Sequence, residues 1–266
     1  MSTFAIPFLG STKDDLNSYC NFIEYSCYRD GEMLFNEFDL SDLKLRDVST
    51  ELERRLSLYG TFAPFKILRD RVSSLISPKA DNLAYVYCLY YSIKGGAAPA
   101  NTVLFEHITD NCLKNYFGTQ FSHITSVGQN SANLLNTIET LRVNIREDKG
   151  NYQHLSTQAK DGGIDIVTYK PLDERGNQII CLTDATIGRN WRSEKKVGNK
   201  LRFWNQWINF KVTPITCLSI VHIVEDNFFH SASTENGLIF DRARVLQYYK
   251  SDPTIEKNLI TWLKGL

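Results

Sequence analysis

The chain has 266 residues, 30 basic and 30 acidic side chains, 42% hydrophobic and 23% charged residues. That balance excludes a disordered or collagen-like polymer. The length gives room for a full core plus an appended subdomain. No apolar run approaches the roughly 20 residues of a membrane span, so no membrane association is expected.

The neutral total conceals an uneven distribution. From Met1 to Glu53 there are 11 acidic and 4 basic residues, whereas from Ala185 to Lys211 there are 7 basic and 1 acidic. A short, strongly basic stretch suits a polyanionic partner; it also suits a solvated helix face. Six cysteines, at 20, 27, 88, 112, 181 and 217, form no Cys-x-x-Cys pair and no zinc-type cluster with histidine. The segment Met1-Ser-Thr-Phe-Ala-Ile-Pro7 lacks the basic flank and apolar stretch of a secretory signal. Together these features predict a cytoplasmic protein with reduced cysteines.

Leu16, Cys20, Ile23 and Cys27 recur at helical spacing, and Val48, Leu52 and Leu56 continue the pattern in a second segment. Leu83 to Ile93 is apolar nearly all round, which fits a buried helix or a strand. Gly95-Gly-Ala-Ala-Pro-Ala100 then interrupts the pattern. A helical N-terminal subdomain over 1–98 and a second unit over 99–266 are expected. Beyond the break, Asn101 or Thr102 can cap a helix carrying Phe105, Ile108, Cys112 and Tyr116, with Glu106 on its first turn. Leu134, Ile138, Leu141 and Ile145 mark another helix, running into Arg146-Glu-Asp-Lys-Gly150.

Two strands are predicted next. Gly163 to Lys170 and Gln178 to Thr183 flank Asp173-Glu-Arg-Gly-Asn177, which is turn chemistry. In a hairpin centred between Glu174 and Arg175, Asp165 and Asp184 are equidistant from the centre and therefore opposed. Opposed residues share a face, with Cβ atoms roughly 4.5–5.5 Å apart. Two carboxylates brought that close repel one another unless a cation lies between them, which is how a divalent-metal site is built.

A basic segment with Trp191, Trp204 and Trp207 follows. In it Phe203, Trp207 and Phe210 have the spacing of a helical stripe packed on the sheet. Arg189, Arg192, Lys196, Lys200 and Arg202 remain as candidates for phosphate contact. Ile215 to Val224 reads as a nearly continuous apolar strand, in which His222 is expected to be a satisfied core residue, and Gly237 to Phe240 as a further strand. The fold class is therefore α/β, a small mixed sheet flanked by helices. No phosphate-binding Gly-x-x-x-x-Gly-Lys loop, Gly-x-Ser-x-Gly elbow or His-Glu-x-x-His helix is present.

Lys160-Asp-Gly-Gly-Ile-Asp-Ile-Val-Thr-Tyr169, followed by Ile179-Ile-Cys-Leu-Thr-Asp-Ala-Thr-Ile-Gly-Arg-Asn-Trp191 and Lys195, resembles the PD-(D/E)XK restriction-endonuclease-like nucleases. More narrowly it is similar to a prokaryotic branch in which a Gly-Ile-Asp strand precedes a Gln-Cys-Ala-x-Gly-x-Asn-Trp-like strand end. The resemblance covers roughly residues 101 to 245. It implies a restriction-endonuclease-like core, a metal-binding Asp165 and a second acid at Asp184. Catalysis would use Mg²⁺ or Mn²⁺ on DNA, with RNA left open, in defence against phage or foreign DNA. Thr186 stands where the motif lysine is expected, so Lys195 is the implied catalytic cation. Glu147, or else Glu106, matches the extra helical acid of many members. A homodimer or a partner defence protein is also implied. The alternatives are a catalytically inactive member that binds nucleic acid or protein, and an adaptor whose acidic N-terminal helices bind a partner.

Overall fold

A computed structural model describes residues 16–34, 42–69, 71–75, 82–96, 98–125, 131–151, 162–194 and 197–266. Helices α1 (Leu16–Asp30) and α2 (Asp42–Tyr59) form on the expected stripes, with Cys20, Ile23, Cys27, Val48 and Leu52 buried. Against them lies a small antiparallel sheet of β1 (Glu32–Leu34), β2 (Phe65–Leu68) and β3 (Arg71–Ser74), in the order β1-β3-β2. This part of the chain is thus helical with a sheet that the periodicity did not reveal, because its strands are only three or four residues long.

The ambiguous apolar run is a helix, α3 (Leu83–Lys94). It is apolar all round because it has two interfaces. Tyr85, Val86 and Leu89 pack with α1 and α2, while Leu83, Tyr87, Cys88 and Tyr91 join a second cluster on the far side. The boundary expected at 98/99 falls just after this shared helix. Gly95, at φ 62°, ends α3 and donates its N–H to Tyr91 O. The next helix, α4 (Pro99–Phe117), begins before the expected Asn101 cap, because Pro99 at its first turn brings a helical φ and no N–H to satisfy.

After β4 (Ser122–Ile124) come α5 (Ser131–Asn144), β5 (Asp148–Lys149), β6 (Ile166–Lys170) and β7 (Ile179–Thr186). The short α6 (Trp191–Glu194), α7 (Val197–Trp207), β8 (Ile208–Asn209) and β9 (Ile215–Ile220) follow. The chain closes with α8 (Asp226–Asn236), β10 (Leu238–Phe240), α9 (Arg242–Tyr248) and α10 (Pro253–Lys264). The main sheet has the order β10-β9-β7-β6-β4, with β7, β9 and β10 parallel and β6 antiparallel to both neighbours. The protein is mixed α/β.

Alternation along the strands sends side chains to two faces. Ile166, Cys181, Ala185, Cys217 and Phe240 pack with α3, α4 and α10. Val167, Tyr169, Ile180, Leu182 and Leu218 pack with α5 and α7. The hairpin register runs from Lys170↔Ile179 to Ile166↔Thr183. Every pair is equidistant from the Glu174–Arg175 midpoint, as expected from the sequence.

A buried polar network joins the N-terminal helices to α9, which follows the edge strand β10. Glu24, with a fully buried side chain, lies 2.6 Å from Arg55 and 3.2 Å from Arg242, and accepts from Tyr59 Oη at 2.9 Å and from Tyr85 Oη. Asn21 Oδ1 accepts from both arginines at 2.9 Å, and Arg242 Nη1 donates to Ser92 Oγ at 2.9 Å. Burial raises the Glu24 carboxyl, but Arg242 and Arg55 outweigh it and hold the group below its ordinary value. Arg242, at the start of α9, thus ties that helix to α1, α2 and α3.

Removing one member of such a buried ionic cluster strands its partners and costs about 3–5 kcal/mol. Arg242→Met is expected to lower unfolding free energy in urea by that amount, and a loss below about 1 kcal/mol would show that the network is not stabilising.

Candidate functional site

The candidate site lies where β6 begins and β7 ends. The hairpin register, continued one step, sets Asp165 opposite Asp184. Asp165 precedes β6 and is pinned from both sides. Its N–H donates to Thr183 O at 2.9 Å, and its carbonyl accepts from Thr125 N–H at 2.8 Å. Its Oδ2 accepts from Ala185 N–H at 2.7 Å, so this carboxylate reaches the peptide directly after Asp184. Asp184, inside β7, is 1% exposed. By strand alternation it follows Ile180 and Leu182 onto the face covered by α7.

Lys200, on α7, meets it there. Its Nζ donates to Asp184 Oδ2 and, at 2.6 Å, to Gly163 O. One ammonium thus bridges the end of β7 and the turn that leads through Asp165 into β6. The preceding turn must be glycine. Gly162 and Gly163 have φ of 60° and 73°. A Cβ on Gly163 would be 2.8 Å from Lys200 Cε, and one on Gly162 would be 2.5 Å from the Trp207 ring and 2.9 Å from Trp204 Nε1. Among the described residues the buried indole N–H groups of Trp204 and Trp207 have no hydrogen-bond partner, and that of Trp204 lies beside this turn.

Of the expected stripe, Trp207 is buried and Phe210 packs against the same cluster, and only Phe203 departs from it. Trp204 is fully buried and Phe203 is 56% exposed, so the inward face carries Val197, Trp204 and Trp207 rather than Phe203. Lys200 is three residues after Val197 and four before Trp204, which puts it on that inward face. A lysine at core spacing was the signal for its position, and it was read instead as a phosphate contact. Lys195 and Lys196 lie outside the described residues.

Thr186 Oγ1 accepts from Gly188 N–H at 3.1 Å and closes the turn after β7. The residue at the motif-lysine position therefore shapes the strand end. Arg189 turns back, donating to Ile93 O at the end of α3, and its side chain occupies the space that a Cβ on Gly95 would fill. Arg192 lies 3.3 Å from Glu225 and 4.2 Å from the centre of the Phe228 ring. Both arginines are exposed yet engaged within the protein, whereas Arg202 is an exposed residue on α7.

Glu147 does not join this site. It is buried at the opposite end of the hairpin, accepting from Asn177 N–H at 3.2 Å and Lys211 N–H at 2.9 Å. The five residues of β6 separate it from Asp165 by about 16 Å. Its carboxylate anchors the turn. Glu106 has a better position along the sheet. The end of α4 is marked by Thr119 donating to Tyr169 O, and Thr109 meets Ser219, the neighbour of Ala185, at 2.9 Å. Glu106, 4% exposed and one turn earlier, is on the Asp165 end of the sheet but on the α4 side.

The donors present are hard oxygens: two carboxylates on adjacent strands and the Gly163 carbonyl. That set fits Mg²⁺ or Mn²⁺, which are commonly held by one or two carboxylates with water and substrate phosphate completing the shell. The Lys200 ammonium marks a point that already attracts positive charge. Among the described residues no group of three or more His, Cys, Asp or Glu side chains could hold an ion. All six cysteines are buried and free.

No family model matches this chain, and no curated protein matches it. Among solved structures it is similar to protein VC1899 from Vibrio cholerae, with a TM-score of 0.25 and 8% identity over 94% of this chain and 51% of that one. It is also similar to the restriction endonuclease FokI bound to DNA, with a TM-score of 0.23 and 9% identity over 97% of this chain and 48% of that one. The chain spans about half the length of either protein. Scores this low do not define a shared fold. Among the described residues no helix is long and apolar enough to cross a membrane.

The loop after β7 is also held by His222, whose Nε2 is 3.2 Å from Gly188 O. Burial, then the positive charge of Arg242, depresses this imidazole from 6.5 to about 4. Between those values the unfolded chain binds the extra proton and the folded one does not, so stability falls as pH drops through the window. Urea unfolding should therefore show a shallower loss between pH 6.5 and pH 4 for His222→Asn than for the wild-type chain; equal slopes would contradict a neutral, half-buried imidazole.

Proposed function

We propose that this protein is a metal-dependent nuclease of PD-(D/E)XK type that hydrolyses DNA phosphodiester bonds. The observation that carries the reading is the Lys200 bridge between Asp184 and the Gly163 carbonyl, with Asp165 on the neighbouring strand. The restriction-endonuclease-like resemblance supplies the reaction class, and defence against phage or foreign DNA is the role it suggests. Asp165 and Asp184 would hold Mg²⁺ or Mn²⁺, which when bound supplies an acidified water and neutralises charge on the scissile phosphate.

The chain's own groups complete the chemistry. Lys200, coming from α7 rather than from position 186 of β7, supplies the positive charge that stabilises the pentacovalent phosphate. Asp165, fixed by Thr125 and Thr183 through its backbone, keeps the first carboxylate in place. Water oxygen would attack phosphorus and give up one proton to solvent as the P–O3′ bond breaks, and the departing O3′ would take a proton back from solvent. Arg202, and the outer edges of Arg192 and Arg189, would track neighbouring phosphates and make binding salt-dependent. A second reading, a nuclease fold that binds without cutting, is favoured by the engagement of both carboxylates with protein groups.

Purified protein incubated with plasmid and short duplexes in Mg²⁺ or Mn²⁺ separates the two. Cleavage should be lost in Asp165→Ala and Asp184→Ala, and should fall on the order of 10²–10³-fold in Lys200→Met, the usual cost of one transition-state donor. Undiminished cleavage by both aspartate variants would refute the assignment. Intact DNA throughout, with binding weakened by Arg202→Glu, would establish the second reading.

A further inference from the structure

We infer that Lys200 is an internal stand-in for the divalent cation, which must withdraw before the ion can bind, so that this lysine sets the metal affinity of the site. The inference rests on the nuclease reading above and adds a regulatory step to it.

An ionised carboxylate removed from water needs compensation. Asp184 is 1% exposed, in the middle sheet strand, between apolar neighbours Leu182 and Leu218. Lys200 Nζ lies where Asp184 Oδ2 and Gly163 O converge, one oxygen from β7 and the other from the turn that leads through Asp165 into β6. The ammonium thus does the geometric work of a cation. It aligns the start of β6 with the end of β7 and offsets the buried charge.

The approach is built for this lysine. Gly163, at φ 73°, leaves room for the aliphatic stem, since a Cβ there would be 2.8 Å from Cε and 3.0 Å from Nζ. The exit is open as well. The Lys200 side chain is 21% exposed while that of Asp184 is 1% exposed, so the flexible four-carbon stem can carry the ammonium outward while the carboxylate stays. A divalent ion gains both oxygens only after that displacement. The displaced ammonium then lies toward the solvent-facing side, where a DNA phosphate would arrive. Metal binding and delivery of the lysine to substrate become one event.

The test measures Mn²⁺ binding to the full chain without DNA, by the electron paramagnetic resonance signal of free Mn²⁺, and in parallel by tryptophan emission, because Trp204 and Trp207 flank the Gly162–Gly163 turn. Lys200→Met removes the competing charge, and Lys200→Gln removes it while keeping an amide that can donate to Gly163 O. Circular dichroism reports whether each variant folds, and either folded variant suffices. At least tenfold tighter Mn²⁺ binding than wild type is expected, together with slower cleavage. Lys200→Arg should stay close to wild type. Unchanged or weaker binding in the neutral variants, with Asp165→Asn abolishing it, overturns the stand-in role and leaves the metal site intact. Absence of Mn²⁺ binding in every form, wild type included, overturns both this inference and the nuclease reading.

Discussion

A carboxylate buried in the central strand of a sheet is the constraint around which this protein is organised. Asp184 follows two apolar residues onto a covered face, where an uncompensated charge is untenable. Lys200 has to be on the inner side of α7 to reach it, which rotates that helix so that Trp204 faces the sheet and Phe203 faces solvent. The same bridge draws in the Gly163 carbonyl, and the close approach requires glycine at positive φ. Helix rotation, turn chemistry and strand alignment all follow from one charge.

A second set of buried charges ties the surrounding layers to that centre. Glu24, Arg55 and Arg242 hold α1, α2 and α9 together, and Ser92 extends the network to α3 and to the Val221 carbonyl. From the end of α3, the Ile93 carbonyl takes Arg189, and His222 contacts Gly188. The loop that follows Asp184 is thereby braced by the N-terminal helices. Arg189, expected to face nucleic acid, is engaged in this bracing, and Arg192 is engaged with Glu225 and Phe228, so fewer basic side chains point freely outward than the charge count from Ala185 to Lys211 suggests.

The hairpin register was legible because turn chemistry and side-chain alternation both constrain it: one slipped residue would have sent Val167 and Leu182 to the wrong face. Helical stripes in α1, α2, α4 and α5 were legible for the same reason, each having one apolar interface. What resisted reading had other causes. The three-stranded N-terminal sheet uses strands too short to show a period. Glu147 has the residue type and sequence proximity of a site acid, yet it anchors the turn at the far end of the hairpin, a distinction that exists only in three dimensions. Lys200 was visible as a basic residue, but its role depended on the phase of α7, and three aromatic residues within five positions allow more than one phase.

The central claim is that Asp165 and Asp184 grip a single ion at the position Lys200 guards. Anomalous diffraction from crystals of this protein soaked in Mn²⁺ tests it most directly. The account predicts one anomalous peak between the two carboxylates, within coordination distance of both, with the Lys200 ammonium moved away from Asp184. Saturating Mn²⁺ with no peak there, and Lys200 still seated on Asp184, would contradict it.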